Sequence, residues 1–141
     1  MPEQVSLVVD VANVMGSRPD GWWRDRLGAA TRWLAALDRL AGREVRLPGG
    51  SVGVLAEVVA VVEGQARRAA APEGAVVRVV RAERDGDSAI VDVAGERLAA
   101  VDPVDGGVDT VLVVTADRGL RDRLPPGVGV TGPGWLLELT G

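Results

Sequence analysis

The stretch Val5-Ser6-Leu7-Val8-Val9-Asp10 decides the fold class that this sequence predicts. A short, mainly β-branched apolar run is typical of a strand buried on both faces, as the strands of a parallel sheet are. The run closes with Asp10, and a carboxylate there is costly to bury unless something pairs with it. Val5–Val9 therefore predicts a central strand, and Asp10 is the first candidate for a functional residue.

Other apolar runs share this character, and segments with helical spacing or turn residues separate them. The predicted strands that follow are Ser51–Val62, Val76–Val80, Val111–Val114 and Val128–Thr131. The predicted helices run from Gly21 to Gly42 with Asp20 as N-cap, over Gln65–Ala71, from Asp87 to Val101, from Asp117 to Leu124 and over Trp135–Leu139. Residues 12–20 contain Asn, Gly, Ser and Pro, and this composition predicts a loop.

Strands that alternate with helices indicate a parallel sheet covered on both faces. We therefore expect an α/β fold: a three-layer α/β/α sandwich with a central, mostly parallel five-stranded sheet. A chain of 141 residues has the length of one ordinary domain, so a single domain over residues 1–141 is expected.

The residue types that are absent exclude most catalytic chemistry. The sequence has no Cys, His or Tyr, and all 16 of its basic residues are Arg. Thiolate, imidazole and lysine mechanisms are therefore excluded, together with Cys- or His-ligated metals. Carboxylates, hydroxyls, Asn and Arg remain, so the leading mechanism for an enzyme is a carboxylate-bound metal.

The overall charge does not indicate a nucleic-acid binder, because the formal net charge is −4 and the isoelectric point is about 4.8. A local arrangement of arginines can still bind phosphates. No signal peptide or apolar run of membrane-spanning length is visible. We therefore expect a cytoplasmic protein with no membrane partner.

Carboxylates follow most of the predicted strands. They are Asp10, Glu63, Asp85, Asp87 and Asp117. Each has a structural explanation: Asp87 and Asp117 suit helix N-caps, Asp117 could pair with Arg121, and Glu63 could be solvated. Together they would converge at one edge of a parallel sheet, where a divalent cation relieves their repulsion. Ligands that are oxygen only favour Mg²⁺ or Mn²⁺.

Three motifs occur in this order along the chain: Val8–Val14 around Asp10 and Asn13, Gly86–Ile90 around Asp87, and Val113–Leu120 around Asp117. This arrangement resembles the NYN branch of the PIN-like nucleases, in particular its YacP-like domains. The resemblance spans nearly the whole chain. It implies a PIN-like α/β/α sandwich and Mg²⁺- or Mn²⁺-dependent ribonuclease activity.

Residue by residue, the resemblance implies roles for a limited set of side chains. The implied catalytic residues are Asp10, Asp87, Asp117, Asn13 and Arg118, and the implied metal ligands are Asp10, Asp87, Asp117 and Glu63. Thr115 matches the family's Thr-x-Asp-Arg segment. Many relatives carry a second acidic residue where this chain has Ser88, a difference that bears on a second metal position. Ser88 and Thr115 are expected to contact substrate.

The expected partner is RNA, either single-stranded or structured. The sequence does not decide between a monomer and a homodimer. Arg18, Arg24, Arg118 and Arg121 are predicted to form a basic rim around the acidic centre, and Trp22 and Trp23 could stack on bases. One alternative is a catalytically weak or inactive domain that binds RNA or protein. Another is a Mg²⁺-dependent phosphatase, which is disfavoured because the first strand lacks an Asp-x-Asp pair.

Overall fold

The computed structural model describes residues 2–101 and 107–140. The strands are β1 (Glu3–Asp10), β2 (Glu44–Arg46), β3 (Val52–Val62), β4 (Arg78–Arg81), β5 (Thr110–Val114) and β6 (Gly129–Thr131). The α-helices are α1 (Val11–Gly16), α2 (Arg26–Leu40), α3 (Gly86–Ala99), α4 (Arg118–Arg123) and α5 (Pro133–Thr140), and 3₁₀ turns lie at Trp22–Arg24 and Gly64–Arg68. No helix in these ranges is long and apolar enough to cross a bilayer.

The strands form one six-stranded sheet in which β1 lies between β3 and β5, parallel to both. Strand β6 lies parallel beside β5, and β4 lies parallel beside the second half of β3. The short strand β2 pairs antiparallel with the first residues of β3. The predicted fold class is confirmed, and the sheet has one strand more than the five expected, because β2 was not predicted.

The sheet is covered on both faces, which makes the three layers. Side chains of β1 alternate between two apolar cores: Leu7 and Val9 pack with α1, α2 and α5, and Val8 packs with α3 and α4. All three side chains are fully buried. A continuous apolar strand is therefore needed here, because both of its faces lie in a core.

Helix α1 occupies part of the segment that was predicted to be a loop. It follows β1 without a linker and buries Val11, Val14 and Met15, which have the spacing of one helical face. The loop prediction for residues 12–20 is wrong at its start, since the apolar spacing prevails over the nearby turn residues.

Helix α2 begins later than predicted. Its N-cap is Asp25, whose Oδ1 accepts from the Gly28 N–H at 2.9 Å, whereas Asp20 accepts from the Trp22 N–H in the preceding turn. The helix buries Trp33 against the sheet, but Trp23 lies outside it and is 52% exposed. The helical spacing of Trp23 with the apolar residues of α2 predicts that it begins the buried stripe, and this prediction is wrong.

The order of the strands fixes where a ligand can bind. The chain passes from β1 to β3 on one side of the sheet and returns through α3 to β5 on the other side. The switch point of this parallel sheet therefore lies between the carboxyl ends of β1 and β5, where Asp10 and Thr115 follow the apolar strands.

Candidate functional site

Asp10 is the buried centre of this edge. It ends β1, caps α1 and is 7% exposed. Its Oδ2 accepts from Thr115 Oγ1 at 3.0 Å, and its Oδ1 accepts from the Asn13 N–H at 3.3 Å. Burial raises the pKa of Asp10 from 3.8 to about 6 against the effect of these hydrogen bonds, and the charges of Glu63 and Asp87 raise it further.

Thr115 joins two parts of the site. It follows β5, is fully buried, and its hydroxyl donates to Asp10 while accepting from the Asp117 N–H at 3.2 Å. Because no part of the side chain is exposed, the expectation that Thr115 contacts substrate is corrected. The structure gives Thr115 a positioning role between Asp10 and the loop that carries Asp117.

Asp117 is the N-cap of α4, as predicted, and its Oδ1 accepts from the Leu120 N–H at 3.0 Å. Among the residues with described positions, none donates to its other carboxylate oxygen. Asn13, in α1, contacts the loop before Asp117, because its Oδ1 accepts from the Ala116 N–H at 2.9 Å. Asn13 therefore holds the loop before Asp117, and its amide oxygen is already occupied. The predicted Asp117–Arg121 ion pair does not form.

Asp87 lies in the first turn of α3, and Asp85 rather than Asp87 caps this helix. Asp85 accepts from the N–H of Ser88 at 2.7 Å. The N-cap explanation for Asp87 is therefore wrong, and its carboxylate accepts no hydrogen bond from the residues in the described ranges. Desolvation raises the pKa of Asp87, and the charges of Asp117 and Glu63 add to that effect.

Glu63 follows β3 and reaches the first residue of α3. Its Oε2 accepts from the N–H of Gly86. Only glycine fits there without displacement, because a Cβ at Gly86 would lie 2.5 Å from Glu63 Oε2. Glu63 is thus held at the positive end of α3 rather than simply solvated.

These four carboxylates come from four different elements at one edge of the sheet. The charges of Glu63 and Asp87 raise the pKa of Asp10, and those of Asp117 and Glu63 raise the pKa of Asp87. Within residues 2–101 and 107–140, however, no three acidic side chains stand close enough together to hold a metal ion as placed. The donor set is oxygen only, which suits Mg²⁺ or Mn²⁺. The side chains therefore fit such a cation in chemistry and charge, and binding would require them to swing inward.

Ser88 is engaged in local contacts. Its hydroxyl donates to Asp85 Oδ2 at 3.2 Å and accepts from Arg123 Nη2 at 3.1 Å. The Ser88 side chain therefore takes part in the N-terminal cap of α3 and connects α3 to α4.

The predicted basic rim is divided between the two helix layers. Arg18 lies over the ring of Trp33 at 5.3 Å, and Arg24 lies over the ring of Trp23 at 5.9 Å, both on the α1–α2 side. Arg118 is exposed at the start of α4 on the other side. The basic rim around the acidic centre stays a prediction.

The sequence analysis missed a second group of arginines beside Glu63. Arg26 and Arg84 line a cleft of about 390 Å³ together with Glu63, and Arg67 and Arg68 line the neighbouring cleft. The adjacent pair Arg67-Arg68, which directly follows Glu63-Gly64-Gln65-Ala66, was the available signal.

The chain has a three-layer α/β fold with carboxylates at the switch point of a mostly parallel sheet, an architecture consistent with a PIN-like fold. No protein-family model matches the chain, and no curated protein matches it. Among solved structures, the chain is similar to a mutant of Rae1 (YacP) from Bacillus subtilis, with a TM-score of 0.63 and 16% identity over 97% of this chain and 74% of that one. A likeness at this identity shows the fold, and the YacP-like branch stays a prediction.

Proposed function

We propose that this chain is a Mg²⁺- or Mn²⁺-dependent ribonuclease whose metal is held by Asp10, Asp87, Asp117 and Glu63. The observation that carries the proposal is the placement of these carboxylates at the switch point of the sheet, where neighbouring charges raise the pKa of Asp10 and of Asp87. The described ion pairs, Arg78–Glu96 and Arg97–Glu57, involve none of them. A divalent cation bound between these carboxylates would relieve this repulsion.

The cation would supply the activation of water and the neutralisation of phosphate charge that a chain without His or Lys cannot supply itself. The residues of the chain prepare the site. Thr115 and Asn13 fix Asp10 and the loop before Asp117, so these two carboxylates are held at the same edge of the sheet. Arg118, exposed directly after Asp117, is placed to bind a phosphate of the substrate.

A second candidate function is a catalytically weak or inactive domain that binds RNA. Two observations favour it. Many members of the family that this chain resembles carry a second acidic residue where this chain has Ser88, and the Ser88 hydroxyl is engaged by Asp85 and Arg123. In addition, the described acidic side chains are not close enough to hold an ion without moving.

Cleavage of a labelled single-stranded RNA in Mn²⁺, Mg²⁺ or EDTA tests the proposal. The parent should cleave with Mn²⁺ and not in EDTA, and Asp10→Asn and Asp117→Asn should each reduce cleavage about a hundredfold or more, the scale of losing an electrostatic catalytic contact. Asp92→Asn, at an exposed position further along α3, is the matched control and should retain activity. RNA binding without cleavage in any metal would favour the second candidate.

A further inference from the structure

We propose that a groove on the α2 side of the acidic edge, the arginine groove, binds a single-stranded stretch of RNA and leads it to the carboxylates. This inference rests on the proposed function for its choice of RNA. The groove is defined by its arginines, which are Arg26, Arg67, Arg68, Arg81 and Arg84.

The groove consists of two adjoining clefts. The first, of about 390 Å³, contains Glu63 at the acidic edge and is bounded by Arg26 and Arg84. The second, of about 800 Å³, is bounded by Arg67 and Arg68. Gly64 and Gln65 line both clefts, so the two clefts adjoin at the turn after Glu63.

The groove is locally basic in a chain whose formal net charge is −4. Its five arginines face two carboxylates, Glu63 and Asp85. None of these arginines forms an ion pair within 4.0 Å with a carboxylate of the described residues, where the pairs are Arg78–Glu96 and Arg97–Glu57. Phosphates are the complementary partner for such a surface.

The backbone that carries two of the arginines is held in place by the fold. Arg81, at the end of β4, donates to the carbonyl oxygens of Arg67 and Ala69, the latter at 2.7 Å. These bonds fix the 3₁₀ turn Gly64–Arg68, which presents the exposed side chains of Arg67 and Arg68. The positions from which these two arginines extend are therefore set by the fold.

An aromatic surface lies beside the groove. Trp22 lines the first cleft, Arg26 lies over its ring at 5.5 Å, and Trp23 packs edge-on against it with 6.0 Å between ring centroids. Trp23 is 52% exposed, and Leu27, which is 41% exposed, continues the apolar surface into the second cleft.

The combination of arginines and exposed aromatic rings favours the binding of single-stranded RNA over duplex RNA. Aromatic rings bind bases by stacking, and only unpaired bases can offer their faces, whereas arginines follow the phosphates of the same strand. A strand bound along the groove would reach Glu63 at its inner end, so the groove sets the direction from which RNA approaches the acidic edge.

Fluorescence anisotropy in EDTA tests this inference without any metal or cleavage. The probe is a labelled oligouridine of about 12 nucleotides, a length within the range that one such surface covers. The double variant Arg67→Gln/Arg68→Gln should weaken binding about tenfold at low salt. It should also reduce the log–log salt slope by about 1.4, or about 0.7 for each lost phosphate contact. Arg39→Gln/Arg43→Gln removes the same charge at the other end of α2 and should have little effect.

Stacking is tested separately at the exposed tryptophan. Trp23→Ala should weaken binding about fivefold or more, the scale of losing one stacked base, and Trp23→Phe should keep most of the affinity. A fully paired RNA of the same length should compete much more weakly than the single strand.

Equal losses in the two double-arginine variants, or equal binding of paired and single-stranded RNA, would overturn the inference. If the groove variants lose binding but the parent never cleaves RNA, the proposed nuclease activity fails and the groove stands. If the parent cleaves RNA and the groove variants bind and cleave as it does, the groove fails alone.

Discussion

The hydroxyl of Thr115 donates to the carboxylate of Asp10 at 3.0 Å and so connects the carboxyl ends of two adjacent parallel strands. The same oxygen accepts from the N–H of Asp117, the N-cap of α4. One buried hydroxyl thus ties a strand-end carboxylate to the loop that carries a second carboxylate. Positioning of the acidic edge therefore depends on Thr115 even though it is not available to a substrate.

Replacing Thr115 tests this link. Thr115→Val should lower the free energy of unfolding by about 1–3 kcal/mol, because the buried carboxylate of Asp10 and the Asp117 N–H each lose a partner. The pKa of Asp10 should rise further, since the lost hydrogen bond lowers it. Thr115→Ser keeps the hydroxyl and is the control in chemical denaturation. Equal stability of the Val and Ser variants would contradict the assigned role.

The raised pKa of Asp10 predicts how stability depends on pH. The pKa is about 6 in the folded chain against 3.8 otherwise. Below pH 3.8 the group is protonated in both states, so it contributes no penalty. As the pH rises to about 6, the unfolded chain loses its proton first, and the folded state is destabilised by up to about 3 kcal/mol.

Denaturation of Asp10→Asn between about pH 3 and pH 8 measures this effect, and these limits bracket the two pKa values, 3.8 and about 6. In EDTA, the variant should gain stability relative to the parent as the pH rises, and the gain should level off above the folded-state pKa. Asp92→Asn, which removes an exposed charge, should show no such trend. A difference between parent and Asp10→Asn that is the same at every pH would rule out the burial effect.

The elements of the fold that could be predicted are those that depend on their own residues and not on distant pairing. β1 was predictable because both its faces are apolar. Strand β2, Glu44–Arg46, was not, since it has two charged residues in three and exists through pairing with β3. The caps of α2 and α3 were placed wrongly because an Asp stands at more than one position before each helix. The backbone conformation selects Asp25 and Asp85 as the N-caps, and residue type alone does not determine that conformation.

A pair of glycines in α3 tests the contact between this helix and Glu63. Gly95→Ala, with no atom within 4 Å of the new Cβ, should raise the free energy of unfolding by about 0.5–1 kcal/mol through helix propensity. Gly86→Ala should give no such gain, because its Cβ displaces the Glu63 carboxylate from the Gly86 N–H. Thermal denaturation compares the two. An equal gain in both variants would show that Glu63 is not held there.

Metal linkage tests the acidic edge as a whole. If Mn²⁺ binds only the folded state, a concentration a hundredfold above Kd should add about 2.7 kcal/mol to stability. Asp10→Asn and Asp117→Asn should remove this gain, and Asp92→Asn should keep it. A melting temperature that does not respond to millimolar Mn²⁺ or Mg²⁺ would argue against a metal site.

The predictable part of the candidate site consists of the residues that stand at the ends of predicted strands. Asp10, Glu63 and Asp117 each come directly after or one turn beyond a predicted strand, and parallel topology brings them to one edge. The engagement of Asn13 by Ala116 could not be predicted, because it joins residues 103 positions apart. The arginine groove was missed for the same reason, since its members come from α2, the turn after β3 and the end of β4.

The location of Mn²⁺ in a crystal of this protein tests the central claim most directly. After a soak in Mn²⁺, an anomalous difference map should show a peak bonded to carboxylate oxygens of Asp10, Asp87 and Asp117, with these side chains turned inward from the separation seen here. The same soak of Asp10→Asn should lose the peak. A map without a peak at this edge, from crystals whose acidic side chains are accessible to solvent, would contradict the account.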